Sequence, residues 1–247
     1  MKKISLLLFT ILIMVACNNK QDQPEASSKA FTQGDYPSLT PSASFYYGDL
    51  NLADNQKQRI FMVFDPDGLI KYQYQNIGKD KFPTIKEGKW NLKDGIITIE
   101  IEKENPIFYL INNDKNISLL NADGTQQDEL NKDNPLNKAN KLSIDEVQGT
   151  YLRGSDTLTI KPREYQDEFT ITISSPKNEC KFQGDGRLSH NRIYLELNPI
   201  DVKLNSQMTI TIIDQNAFIF TSKSKDANDL SKFCTKGKTL IGDYKKK

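Results

Sequence analysis

The amino-acid sequence predicts an all-β protein made of two small antiparallel meander or barrel modules. From Phe45 onward, short runs that alternate apolar and polar residues are separated by turns rich in Asp, Asn and Gly. No long segment with helical periodicity interrupts these runs. Landmark residues also recur at an offset of 96 positions, which pairs Gly88 with Gly184. The offset is weak support for two related modules, predicted at residues 43–138 and 139–247, and chance agreement between two meanders is the alternative.

The N-terminal segment has the composition of a secretory signal. Lys2 and Lys3 precede the uncharged apolar run Ile4–Val15. This run is too short to cross a bilayer as a helix, whereas its length is typical of the apolar part of a signal peptide. Residues 1–16 are therefore predicted to be a signal peptide that is removed.

The residues that end this segment suggest a lipid anchor. Met14, Val15 and Ala16 lead to Cys17 and resemble the cleavage motif of bacterial lipoproteins. The resemblance implies that Cys17 carries a diacylglyceryl thioether and an acyl chain such as palmitate on its amine, so that more than one chain holds the membrane. Asn18 replaces the Asp that retains such proteins in the inner membrane, which implies the outer membrane. The alternative is an ordinary secretory signal with a chance cysteine.

The segment that follows the anchor is predicted to be a flexible linker. Residues 17–42 are rich in Asn, Gln, Ser and Pro and lack apolar periodicity. The linker would hold the folded part away from the membrane, in the periplasm or at the cell surface.

The overall charge argues against nucleic-acid binding. The chain has 33 basic and 32 acidic residues, a net charge of +1, and loss of Lys2 and Lys3 with the signal peptide makes it slightly negative. A nearly neutral chain lacks the basic excess of nucleic-acid or polybasic membrane binding. Lys245–Lys247 is accordingly interpreted as a solvated tail.

Turn residues divide the first module into hairpins. Ile60–Phe64 and Leu69–Tyr74 flank Asp65–Gly68, which has strong turn chemistry. The same pattern predicts two further hairpins: Gly88–Leu92 with Ile96–Ile101, and Ile107–Ile111 with Ile117–Leu120.

The second module repeats this rhythm after a boundary predicted at Asn131–Asn140. Ser143 to Glu146 has the Ser-x-x-Glu form of a capping box and predicts one helical turn. A second short helix is predicted over Ser224–Phe233, with Asp226 as a possible cap. The predicted strands are Thr157–Lys161, Phe169–Ser174, Arg192–Leu197, Met208–Ile213, Ala217–Thr221 and one near Thr239–Tyr244.

Two cysteines remain after Cys17. In an oxidising envelope, Cys180 and Cys234 are predicted to form a disulfide within the second module. The alternative is a thiol pair that binds metal or exchanges electrons, although redox pairs are usually close in sequence.

The sequence does not indicate an enzyme, a cofactor or a metal site. His190 is the only histidine and lies in a predicted hairpin turn, so we interpret it as a solvated turn residue rather than a general base. A single histidine cannot build a multi-histidine metal site, and no P-loop, dinucleotide-binding or nucleophile-elbow motif occurs. Paired carboxylates stay possible, but no particular pair stands out.

Aromatic residues of the first module have two possible roles. They could line a barrel mouth that takes an apolar ligand, or they could fill the core, which we favour. No ligand-binding residue is assigned. The residues are Phe61, Phe64, Tyr72, Tyr74, Trp90, Phe108 and Tyr109.

The order of features in the first module resembles the N-terminal domain of the NlpE family of outer-membrane lipoproteins. The matching features are Tyr47–Leu50, Asp65–Gly68 followed by Tyr72, Gly88–Trp90, and Leu119–Gly124. The resemblance implies a lipocalin-like barrel and a role in copper resistance and envelope-stress signalling. The Cys-x-x-Cys of the family is absent, because Leu52 and Asn55 stand in its place. Its thiol chemistry therefore does not carry over.

The second module faintly resembles small disulfide-linked envelope barrels such as periplasmic lysozyme inhibitors. The resemblance rests on Cys180–Gly184, Phe233–Cys234 and Gly242–Tyr244. Together the two resemblances imply a non-catalytic outer-membrane lipoprotein that binds or senses through an envelope protein partner. Inhibition of lysozyme or another hydrolase and carriage of a small amphiphile are the alternatives.

Overall fold

The computed structural model describes residues 44–52, 56–125, 135–165, 167–189 and 191–247. Within these ranges, sixteen strands form two closed antiparallel barrels of eight strands each. The predicted all-β fold class with two barrel modules is confirmed. Cys17, the signal peptide and the linker lie outside the described residues, and the predictions made for them stay predictions.

The first barrel runs from Ser44 to Lys138 and closes by pairing of its first and last strands. Each consecutive pair of strands is antiparallel, as expected for a meander. The strands are β1 Ser44–Asn51, β2 Lys57–Phe64, β3 Leu69–Asn76, β4 Thr84–Lys93, β5 Ile96–Ile101, β6 Ile107–Ile111, β7 Asn116–Leu119 and β8 Leu136–Lys138.

The second barrel repeats this order and closes by pairing of β9 with β16. The one-turn helix Ile144–Val147 precedes it, and 3-10 helices lie at Pro176–Asn178 and Ser224–Ser231. The strands are β9 Gly149–Arg153, β10 Asp156–Pro162, β11 Glu168–Ser174, β12 Lys181–Ser189, β13 Arg192–Glu196, β14 Gln207–Ile213, β15 Asn216–Thr221 and β16 Gly242–Lys246. Among the described residues, no helix is both long and apolar enough to cross a membrane.

Local sequence signals explain the turns and the first helix. The Asp65–Gly68 turn joins β2 to β3, and Gly68 adopts a positive φ of 84° that a side chain would strain. The predicted capping box is present: Ser143 accepts from the Glu146 amide, and the Glu146 side chain accepts from the Ser143 amide. The predicted hairpin of β2 with β3 and the predicted helical turn are confirmed.

The offset of 96 positions reflects equivalent hairpins. Leu92 pairs with Ile97 between β4 and β5, and Leu188 pairs with Ile193 between β12 and β13. Both hairpins join the fourth and fifth strands of their barrel. The same register at the same place in both barrels supports their relation as structural repeats.

The first barrel ends at Lys138 with β8, a strand that was not predicted from the sequence within the boundary segment Asn131–Asn140 and that pairs with β1 and β7. Two predicted features near the end of the second barrel are wrong. The last strand begins at Gly242 and includes Lys245 and Lys246, so this part of the predicted solvated tail closes the second barrel. Asp226 is not the helix cap, because the Ser224–Ser231 helix begins after Lys223 without a side-chain cap.

The prediction also missed β9 and β12. Gly184, Gly186 and charged neighbours weaken the strand pattern of β12. Pairing of β12 with β11 over seven residues overrides that local preference. For Gly186, contact with β13 leaves no room for a side chain, since an added Cβ would lie 2.6 Å from Leu195 Cγ.

Candidate functional site

Apolar side chains fill the interior of both barrels. In the first barrel, Phe64, Tyr72 and Tyr109 join the buried core, and Trp90 packs against it. In the second, a larger core extends from the short helix to β16. The core interpretation is therefore confirmed for most of the aromatic set. Phe61 and Phe108 are exceptions, because both lie on the outer face of their strands.

One end of the first barrel carries a polar cluster. Lys86 Nζ lies 2.6 Å from Glu104 and 5.1 Å from the ring centre of Tyr74. The Tyr109 hydroxyl is buried beside Tyr72. Burial, with the contact to Tyr72, raises the pKa of Tyr109 well above its usual value, so this phenol stays protonated near neutral pH. The cluster therefore places a buried phenol near an ion pair.

The two barrels contact each other through aromatic and aliphatic side chains on their outer faces. This inter-barrel cluster consists of Phe45, Phe61, Val63 and Ile213, with Tyr47, Ala139 and Phe218 packed against it. The ring centres of Phe61 and Phe218 are 5.1 Å apart. Phe61 is thus a core residue of the interface rather than of a barrel.

Polar contacts surround this cluster. Arg59 forms ion pairs with Asp49 at 2.9 Å and with Asp243 of the second barrel. Tyr47 donates to Asp214 at 3.0 Å, and the Ile85 amide donates to Ser224 at 2.6 Å. Burial and the contact with Asp214 raise the pKa of Tyr47 to about 12. Both barrels therefore contribute charged and neutral contacts at the margin of their interface.

Arg192 is the residue that sequence reasoning missed most clearly. It is 4% exposed, and its guanidinium lies 5.0 Å from the ring centre of Phe45 and 5.6 Å from that of Phe220. Arg192 alternates in β13 with side chains of the barrel core, as a solvent-exposed strand residue does. Contacts with Phe45 of the first barrel and Phe220 of its own barrel help to bury it, and neither contact is signalled by the sequence around Arg192.

A surface cavity lies on the second barrel, away from the interface. It measures about 560 Å³ and is formed where β12 and β13 diverge, since these strands pair only over Arg187–Ser189 and Arg192–Tyr194. Gly184 and Gly186 line it, and Pro199 and Ile200 lie over it. We call this cavity the β12–β13 cleft.

Ion pairs and hydrogen bonds organise the polar walls of the β12–β13 cleft. Arg163 lies 2.9 Å from Asp185, and Arg187 lies 2.9 Å from Glu168. Gln207 donates to Glu196 at 2.7 Å. The charged groups are thus engaged with one another, and the walls of the cleft present ion pairs.

Exposed apolar side chains lie on loops beside this cleft. Val202 is 82% exposed and Ile200 is 39% exposed on the loop that joins β13 to β14. Tyr165, 68% exposed, lies on the loop between β10 and β11, whose ends contribute Arg163 and Glu168 to the cleft. Apolar residues beside a polar cleft are a common feature of protein-binding surfaces.

The predicted cysteine pair, Cys180 and Cys234, forms a disulfide. The Cα atoms of the two residues are 4.0 Å apart. The bond joins the start of β12 to the segment that leads to β16, and Phe182 packs edge-on against Phe233 beside it. It lies within the second module, as predicted.

The remaining predicted site residues are not brought into one centre. His190 lies outside the described residues. Among the described residues, no group of three histidine, cysteine or acidic side chains is arranged to hold a metal ion.

Comparisons with known proteins give one structural match. No protein-family model matches the chain, and no curated protein matches it. The crystal structure of the Cpx pathway activator NlpE from Escherichia coli aligns with 72% of this chain and 83% of that chain, at 12% sequence identity and a TM-score of 0.31. The fold given above rests on the strand pairing of this chain itself.

Proposed function

We propose that this chain is a non-catalytic lipoprotein of the bacterial outer membrane that binds an envelope protein and takes part in envelope-stress sensing. The observation that carries the binding role is the β12–β13 cleft with its exposed apolar loops. Lipid on Cys17 would hold the two barrels at the membrane, and residues 17–42 would let them reach a partner. The resemblance to the NlpE family supplies the link to envelope stress.

The geometry supports binding by a surface rather than inside a barrel. The interiors hold packed side chains, whereas the β12–β13 cleft is open and combines apolar loops with charged walls. Interfaces of this composition use a few apolar anchors, with polar groups at the rim providing specificity. We therefore assign partner binding to the second barrel and do not favour carriage of an amphiphile.

The test of this function is an envelope-stress reporter in cells that overproduce the full chain. The wild-type chain is expected to change reporter output, and Val202→Asp is expected to abolish at least about 90% of that change because a charge replaces the most exposed apolar side chain beside the cleft. Leu69→Asp is the matched control, since Leu69 is 48% exposed on the first barrel and lies away from the cleft.

Immunoblots must show equal amounts of the three chains in the membrane fraction. A full response from Val202→Asp, or equal loss from both variants, would remove the β12–β13 cleft from the proposed function. No response to the wild-type chain would reject the sensing role itself.

Inhibition of a hydrolase is the second candidate function, because the loop at residues 197–206 combines an exposed tip with buried ends. Leu197 and Leu204 are buried, and the Leu204 amide donates to the Asp201 carbonyl at 2.8 Å. Val202 lies between these two buried residues in sequence, and its side chain is exposed. A lysozyme assay titrated with the full chain tests this function: saturation near one to one supports it, and full activity at large excess rejects it.

A further inference from the structure

The interface between the barrels contains a buried charge, Arg192, that forms no ion pair with another described residue. Its Nε and Nη2 atoms have no hydrogen-bond partner among the described residues. Burial lowers the pKa of Arg192, although a hydrogen bond and charge interaction with Tyr194 and the charge of Asp65 act in the opposite direction. A guanidinium stays charged in proteins, so the interface must hold this cation without the hydration it has in water.

Two neighbouring threonines add to the cost of closing the interface. The hydroxyls of Thr209 and Thr211 are buried and have no hydrogen-bond partner within the described ranges. Thr211 is directly opposite Arg192 in the β13–β14 ladder. Buried polar groups without partners are unfavourable compared with the same groups in water, so separation of the barrels would be favourable for all three residues.

The contacts that hold the barrels together offset this cost. Arg192 lies between Phe45 of the first barrel and Phe220 of the second, which provides cation–π attraction. The inter-barrel cluster buries apolar surface beside it. At the margin, Arg59 reaches Asp243, but this pair is partly exposed and therefore screened by salt.

The connection between the barrels allows them to separate without unfolding. Each barrel closes through its own strands, β1 with β8 and β9 with β16. Only residues 139–143 join β8 to the short helix. Asn191 binds this connection by accepting from the Leu142 amide and donating to the Asn140 carbonyl. Leu142 also packs against the core of the second barrel, and the Ala139 amide donates to the Phe45 carbonyl of the first. The residues between them would act as the hinge.

We propose that the two barrels are in equilibrium between a docked and a separated state, and that the buried charge of Arg192 favours separation. The separated state exposes an aromatic face on each barrel, with Phe45 and Phe61 on one and Phe218 and Phe220 on the other. A ligand or partner that binds one of these faces would shift the equilibrium. This inference depends on the interface alone and does not require the binding role of the β12–β13 cleft.

Thiol labelling of the full chain, purified in mild detergent, measures this separation. Val63→Cys places a thiol in the inter-barrel cluster, whereas Met62→Cys places one on the next residue, inside the first barrel. If the barrels separate as units, the Val63→Cys thiol reacts with a bulky maleimide at least about tenfold faster than the Met62→Cys thiol. Equal slow rates for the two thiols would overturn the proposal, since the interface would then open only when the barrel unfolds.

Substitutions at Arg192 test whether its charge drives the separation. Arg192→Met keeps an unbranched apolar stem without the charge and is expected to slow labelling of the Val63→Cys thiol about tenfold, because apolar replacements of buried charges often stabilise. Arg192→Lys keeps the charge but loses the planar stacking surface and is expected to label faster than wild type. Arg59→Met, at the margin, is also expected to label faster because it removes the ion pairs with Asp49 and Asp243.

Two labelling results with these variants would overturn the proposal. Faster labelling of Arg192→Met than of wild type, with the Met62→Cys rate unchanged, would show that the charge holds the barrels together and would overturn the proposal. If Arg192→Met also speeds labelling of the Met62→Cys thiol, the substitution has damaged the first barrel itself. The labelling rate of the Val63→Cys thiol in Arg192→Lys, compared with that in wild type, then decides whether the proposal holds. A rate for Arg192→Lys equal to or below that of wild type would then reject the proposal.

Discussion

Single residues show how the ends of the second barrel are held. Asp156 is nearly buried and accepts from Arg153 at 2.8 Å and from the Ser175 hydroxyl. Arg153 in turn donates to the Thr239 carbonyl at 2.7 Å and stacks on Tyr244. One carboxylate therefore orients the arginine that holds the chain entering β16. This role follows from contacts across the barrel and not from sequence spacing.

The protonation of Asp156 links this network to pH. Burial acts to raise its pKa, but the hydrogen bonds from Ser175 and Arg153 and the charge of Arg153 outweigh burial, so the pKa is lowered. Since its pKa is lower in the folded chain than in the unfolded chain, ionised Asp156 contributes stability above about pH 4, the range of the unfolded value. That contribution is lost as pH falls through the folded pKa.

We expect Asp156→Asn to lower the free energy of unfolding by about 2 kcal/mol at pH 7, because it removes charged hydrogen bonds. The difference from wild type should shrink as the pH falls below about 4. Urea titrations of the full chain at several pH values measure both quantities. Asp67→Asn is the control, since Asp67 is exposed in the turn between β2 and β3. A difference that grows on acidification would contradict this account.

At the scale of single elements, strand pairing corrected the local predictions. The Gly-containing strand β12 and the short strand β8 are specified by their partners, β11 for one and β1 with β7 for the other. By contrast, hairpins with Asp or Asn and Gly in the turn could be predicted, because their register is set within a few residues. The elements that could be predicted are therefore those specified by residues close to one another in sequence.

The disulfide acts on two elements that are distant in sequence. It joins Cys180 at the start of β12 to Cys234, 54 residues later. We expect its reduction to lower the stability of the second barrel by about 4 kcal/mol in the chain-entropy description, less any strain that reduction relieves. Hydrogen exchange of the full chain before and after reduction measures this loss. Faster exchange should be confined to the second barrel.

The first barrel serves as the internal control for this experiment, because it contains no cysteine among its described residues. Equal acceleration of exchange in both barrels would indicate that they unfold together. Unchanged exchange in β12 and β16 would show that strand pairing alone provides the stability of this region.

At the scale of the whole molecule, membrane attachment is predicted to depend on one residue. Cys17→Ser removes the thiol that would carry lipid, so the chain is expected to leave the membrane fraction. Fractionation of producing cells, with detergent extraction of the pellet, measures the change. Asn18→Asp is the comparison variant: it keeps Cys17 and, by the resemblance to enteric lipoproteins, is expected to move the chain to the inner membrane.

Either of two results would contradict the anchor. One is a Cys17→Ser chain that stays in the membrane fraction after high-salt washing. The other is a mature wild-type chain without an added mass on its N-terminal peptide. In both cases the ordinary secretory interpretation of residues 1–16 would replace the lipoprotein interpretation.

Local sequence patterns predict the β class, most hairpins, the capped helical turn at Ser143 and the disulfide pairing. Each of these depends on residues close in sequence, or, for Cys180 and Cys234, on there being one available partner. The polar character of the turns and the period-two pattern were sufficient, because strand geometry turns alternate side chains to opposite faces. Site assignment went less far, since no residue of the β12–β13 cleft has a distinctive motif.

The burial of the outer strand faces follows from packing between the barrels. Phe61 and Arg192 both lie on the outer face of their strands; the sequence patterns grouped Phe61 with the core aromatics and assigned no role to Arg192. Packing of one barrel against the other places both in the same interface. The closing positions of β8 and β16 and the divergence of β12 from β13 are likewise non-local. The physical reason is that burial between folded units depends on their whole surfaces, whereas periodicity describes one strand at a time.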